Sequence, residues 1–153
     1  MSELKSRHLF DISIELHPIQ VLGKTPAGER RIFPVSGGSF TGERLRGEIL
    51  PHAGSDLLLT RSDGSYQQDV RLVLRTDDEV LILVTYRGVR YSSPEVAARI
   101  ASGELVDASE YYLRIAPFFE TADTKYQWLN NIVAIGVGER IPNGVIYHVF
   151  EIL

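Results

Sequence analysis

The chain has 153 residues, 44% of them apolar and 24% charged, with a formal net charge of −4. That composition suits one globular domain with a substantial core. Its basic residues are dispersed, the longest cluster being Arg30-Arg31, and it has no cysteine; the first argues against a nucleic-acid partner, and the second excludes a disulfide framework, a thiol nucleophile and a zinc knuckle.

The N-terminal MSELKSRHLFDI lacks the apolar run of a signal peptide. No segment approaches the roughly 18 apolar residues of a membrane span, so no membrane partner and a cytoplasmic location are expected. The first periodic run is FDISIEL, alternating Phe10, Ile12, Ile14 and Leu16 with polar residues. Such alternation marks a half-buried strand. Gly37-Gly38, Asp63-Gly64, Thr76-Asp77-Asp78 and Pro142-Asn143-Gly144 carry the chemistry of turns. Between them, DVRLVLRT alternates Val70, Leu72 and Leu74 with Asp69, Arg71 and Arg75, while VLILVTY (80–86) is apolar on both faces, as a central strand can be.

One segment departs from the β pattern. SSPEVAARIASG predicts a short helix near 94–102, with Ser93 as its cap, Pro94 in its first turn and Gly103 as its stop. YYLRI, YQWLNN, NIVAIGVG and VIYHVFEI then complete the strands. Many short strands joined by hairpins predict an all-β fold, a closed or nearly closed antiparallel barrel or a sandwich, with one short helix. Residues 1–153 are expected to form a single domain, without repeats or linkers.

Familiar catalytic signatures are absent. GGSFTG (37–42) has Thr41 where a nucleophile elbow needs glycine. GVGERI lacks the third glycine of a dinucleotide fingerprint. His8, His17, His52 and His148 show no close ligand spacing, so neither a metal nor a cofactor is expected.

What remains is polar residues set in apolar strands. In YYLRIAPFFET, an extended backbone puts Tyr112, Arg114, Phe118 and Glu120 on one face. Glu120 follows two phenylalanines, and burial there would disfavour its charged form, as suits a general acid or base. The alternative is a structural ion pair with Arg114 or Arg71. Tyr126, Trp128 and Asn130 share a face if YQWLNN is also extended. Asp56 ends a turn or joins the site, and the alternation of Asp69 and Arg71 favours a solvated outer face. Together these residues have the mixture of apolar wall and a few polar groups that lines small-molecule pockets.

The succession GGSFTGERLRGEILPHAGSD, DGSYQQDVRLVLRTDD, YYLRIAPFFET and YQWLN resembles the family known as domain of unknown function 3237, from about Leu9 to Ile152. That resemblance implies a small closed barrel comparable to calycins and allene oxide cyclase-like barrels. It also implies family positions at Gly37, Gly38, Gly42, Gly47, Asp56, Asp69, Arg71, Tyr112, Arg114, Glu120, Tyr126, Trp128 and Asn130. Two departures stand out: Leu57 replaces the family's usual tryptophan, expected to reshape a pocket, and Glu79 replaces a frequent glycine after the TDD turn.

Three functions follow. The first is a cofactor-independent isomerase, cyclase or lyase acting on a small cyclic or aromatic carbonyl compound. In it Glu120 or Asp56 moves a proton, Arg114 and Arg71 hold an oxyanion, and Asp69, Tyr112, Phe118, Tyr126, Trp128 and Asn130 line the ligand site. The second is a lipocalin-like binding protein that takes a small-molecule ligand without turnover. The third is a structural or interaction protein, a homo-oligomer with a purely structural polar core.

Overall fold

The computed structural model describes residues 2–153. Its elements are β1 (Ser6–Leu16), β2 (Gln20–Thr25), β3 (Gly28–Thr41), β4 (Arg46–Ile49), β5 (Ser55–Thr60), β6 (Tyr66–Thr76), β7 (Leu81–Tyr91), α1 (Pro94–Ala101), β8 (Tyr112–Glu120), β9 (Val133–Ile141) and β10 (Gly144–Ile152), with short 3-10 helices at Ala108–Glu110 and Gln127–Asn131. The helix forms where the sequence predicts it, with the Ser93 hydroxyl accepting the Val96 N–H at 3.2 Å.

All pairings are antiparallel, and β1 pairs with both β10 and β3, which closes the barrel. Long β3 runs beside β1 and β2 on one edge and beside β4 and β5 on the other. Those two pairs therefore each act as one broken stave, and the ten strands make an eight-stave closed barrel. Among the described residues, no helix is long and apolar enough to cross a membrane.

Two sequence expectations are corrected here. Gly37 and Gly38 lie inside β3 rather than in a turn. At Gly38, with φ of 138°, a Cβ would stand 2.0 Å from the Ser13 carbonyl oxygen, so only glycine lets β1 and β3 approach. Ser36 is an extra residue opposite the junction of Glu15 and Leu16, a β-bulge. It shifts the inward row of β3 from Gly38 and Phe40 to Val35, Phe33 and Arg31. The second correction is YQWLNN, which is a 3-10 turn, not a strand. There the side-chain amide of Asn130 bonds both backbone groups of Thr121, at 2.8 and 3.0 Å, so period-two faces do not apply.

That turn plugs one end of the barrel. Leu129 is fully buried, and the Tyr126 hydroxyl donates to Asp78 in the TDD turn at 2.7 Å, beside a Lys125–Asp78 ion pair. Below the plug, Phe10 packs edge-on against Phe40 and Phe119 at 5.5 and 5.9 Å. Trp128 is half-buried at the rim, with the Arg44 guanidinium 4.1 Å over its ring and Arg44 also paired to Glu151. Glu79 takes φ of 68° in the TDD turn, a conformation that glycine adopts without steric cost. This accounts for the family's alternative there. We expect Leu129→Ala to lower unfolding free energy by about 2–5 kcal/mol in urea titrations, with no effect on ligands bound at the opposite end.

Candidate functional site

The other end of the barrel is open. A cavity of about 540 Å³ lies there, within the range of small-molecule sites. Its wall takes one or two inward residues from nearly every stave: Arg31 and Phe33 from β3, Asp56 and Leu58 from β5, Gln68 from β6, Arg90 from β7, Leu113 from β8, Arg140 from β9 and Tyr147 from β10. Several continue inward rows that are apolar deeper in the barrel, while Asp56, paired with Val70, sits below Leu58 of its own strand. Gln68 follows the phase of Val70, Leu72 and Leu74, and Arg90 that of Ile82, Val84 and Tyr86. Arg140 follows Ala134, Gly136 and Gly138.

Space for the wall comes from β9. A Cβ on Gly138 would stand 2.6 Å from the Tyr147 ring and 2.7 Å from Leu113, so the missing side chain is what lets these two pack across the cavity floor. Tyr147 meets Tyr86 edge-on at 5.6 Å. Both tyrosines are fully buried, and burial first, then neighbouring charge, raises both hydroxyls above the ordinary tyrosine value.

The electrostatics are unusual for an acidic protein. Burial pushes the Asp56 carboxyl up to about 7; an N–H from Asp69 at 3.4 Å and the charges of Arg90 and Arg30 only partly oppose this, while the Asp69 carboxylate adds to it. Arg90 is depressed chiefly by burial and then by Arg140. Among the described residues, no carboxylate lies within 4 Å of the side chains of Arg31, Arg90 or Arg140. Arg90 and Arg31 instead flank the Tyr66 ring at 4.2 and 5.4 Å. The amide oxygen of Gln68 is buried without a hydrogen-bond partner. A carboxyl that titrates near neutrality, beside cations with no counter-ion, can move a proton next to a stabilised anion.

The family model described as "Protein of unknown function (DUF3237)" matches residues 4–152. The chain belongs to this family. Among solved structures, a conserved protein of unknown function from Rhodopseudomonas palustris superposes with a TM-score of 0.95 at 29% identity, each chain covered in full. A β-barrel-like protein from Acinetobacter baumannii is 37% identical with a TM-score of 0.86, covering 100% of this chain and 98% of that one. A more distant relative, from Penicillium herquei, is named a hydroalkoxylation enzyme; it is 26% identical over 84% of this chain and 70% of its own. An enzyme structure from that organism shares the fold, with a TM-score of 0.72 at 22% identity, covering 100% of this chain and 97% of that one.

Within this DUF3237 barrel, Asp56 alone of the ten site residues expected from sequence lines the cavity. Tyr112, Arg114, Phe118 and Glu120 do share a face, and Pro117 leaves the register unbroken, but that face is the outer one. Glu120 is exposed at the strand end, Phe118 is 54% exposed, and Tyr112 stacks outside under Arg114 at 4.7 Å. Arg71 and Asp69 belong to the outward row of β6, with Arg71 exposed, as the alternation favoured. Tyr126, Trp128 and Asn130 build the plug at the far end. Leu57 is 41% exposed and points outward from β5, so its replacement of tryptophan does not reshape the cavity.

The raised Asp56 fixes a pH dependence. Between its ordinary value of 3.8 and about 7, the folded chain keeps a proton that the unfolded chain releases, so this group's contribution to stability falls as pH rises through that window. Asp56→Asn removes the titration. The variant is expected to gain stability relative to wild type between about pH 4 and pH 8, seen as diverging urea midpoints.

Proposed function

We propose that the chain is a cofactor-independent enzyme that closes or rearranges a small carbonyl compound by proton transfer in this cavity. The observation that carries the reading is Asp56, a partly buried carboxyl poised near neutrality in the same cavity wall as three arginines without a carboxylate within 4 Å. The hydroalkoxylation enzyme among its relatives supports an addition in which a hydroxyl O–H is placed across a C=C bond.

The chemistry needs one proton carrier and one anion holder. Ionised Asp56 takes the proton of the substrate hydroxyl, and the oxygen forms its new bond to the β-carbon of an enone. The π electrons move to the carbonyl oxygen, giving an enolate. Arg90 and Arg140 stabilise that oxygen, as fixed cations in a water-poor site do. Protonated Asp56 then returns the same proton to the α-carbon, so the product is an isomer of the substrate. A general acid–base is most effective with its pKa near the working pH, where Asp56 stands.

The test uses 2′-hydroxychalcone, whose ring closure to flavanone is followed by loss of its absorbance. Wild type is expected to accelerate closure above the buffer rate, and Asp56→Asn to lose roughly 10²–10⁴-fold of that rate. Glu120→Gln and Trp128→Ala, both outside the cavity, are expected to retain it. A fully active Asp56→Asn variant would contradict the reading; binding without acceleration would favour a lipocalin-like binder instead.

A further inference from the structure

One enolate oxygen does not account for the number of cations in this cavity. Arg31, Arg90 and Arg140 reach it from three different strands. Arg31 does so only because the Ser36 bulge turns its row inward. Four arginines elsewhere are answered by carboxylates, Arg7 and Arg44 by Glu151, Arg75 by Glu48, and Arg99 by Glu104 and Glu110; the others outside this cavity, without a carboxylate partner, are spread over the barrel rather than gathered in one space. The three cavity arginines converge on one space with the single Asp56 carboxyl, which feels the charge of Arg90 but lies within 4 Å of none of them among the described residues, and Arg140 and Arg31 both act against the charge of Arg90. Like charges held together in partial burial raise the energy of the empty protein and lower it when an anion enters. The buried Gln68 amide, 6% exposed with its oxygen unpartnered, adds a neutral polar group to the same wall. It lies beside Gly88, where a Cβ would come within 3.0 Å of that oxygen.

We propose that the ligand of this cavity carries a permanent oxyanion, a carboxylate or an ionised acidic phenol or enol, held by Arg31, Arg90 and Arg140, and a second polar group that meets the Gln68 amide. Guanidinium suits such a group because its planar fork matches two oxygens at once. The proposal deepens the proton-transfer reading of the same cavity by naming its substrate class, and it is tested by binding, without turnover.

Calorimetric titration with benzoate, 4-nitrophenolate and neutral benzamide at about pH 8, where the first two are ionised, separates the cases. Wild type is expected to bind at least one of the two anions roughly tenfold or more tighter than benzamide, the scale of a charge-assisted contact. Whichever anion binds tighter tells carboxylate from phenolate recognition. Arg140→Gln is expected to lower that affinity about tenfold, whereas Arg75→Gln, on the outer surface, leaves it unchanged. Melting of the ligand-free Arg140→Gln protein is expected at or above the wild-type temperature, because the change relieves repulsion; a purely structural arginine would lower it. Should Arg140→Gln fail to fold, Arg31→Gln serves the same comparison. Equal binding of benzamide and both anions, no anion binding at millimolar concentration, or equal effects of the cavity and surface variants would overturn the proposal. Anion selectivity together with a fully active Asp56→Asn would leave the ligand class standing and remove the catalytic reading. Chalcone closure without anion selectivity would do the reverse.

Discussion

In a closed eight-stave barrel, each strand has one row of side chains aimed at the axis, and that space is just wide enough to be filled by those side chains or to hold one small ligand. The rest of the molecule follows from how these rows are filled. At one end they carry Phe10, Phe40, Phe119, Leu74 and Ile82, sealed by the Gln127–Asn131 turn. In the middle Ile12, Leu72, Val84 and Val149 leave almost no void. Only at the other end do the same rows switch to Asp56, Gln68, Arg90, Arg140 and Tyr147. The packed half gives the fold its stability, and the open half holds the cavity.

This division explains why charge can be kept partly buried. A carboxyl removed from water is costly in its ionised form, and the Asp69 N–H with the charges of Arg90 and Arg30 opposes that cost at Asp56 only in part. Asp56 therefore settles near neutrality rather than at either extreme. The packed half must supply the stability that such a site withdraws, which is the usual relation between a strained site and its scaffold.

Much of the architecture was legible in the sequence because alternation and turn chemistry are local. The barrel class and the capped helix follow from residues within a few positions of one another, whereas Pro117, a residue that can bulge a strand, leaves the register unbroken. The site was less legible. In YYLRIAPFFE the alternation alone does not say which row faces the axis; the barrel fills it with the apolar row, so Glu120 and Arg114 face outward. Nothing within YQWLNN itself signals that Asn130 will bond to Thr121 and turn the segment out of an extended path. The informative signal was a polar residue continuing an apolar row toward a strand end, as Gln68, Arg90, Arg140 and Tyr147 do. Arg31 lacked even that, since the Ser36 bulge that turns it inward is set by pairing with β1.

The most direct test is the protonation of Asp56 itself. Carbon-13 NMR of the labelled aspartate side chains, with Asp56→Asn assigning the resonance, follows that carboxyl as pH is varied. A midpoint near 7 is expected from its place in the cavity wall. A midpoint near the ordinary 3.8 would show a well-solvated carboxylate, and the proton-carrying role given to Asp56 would fall with it.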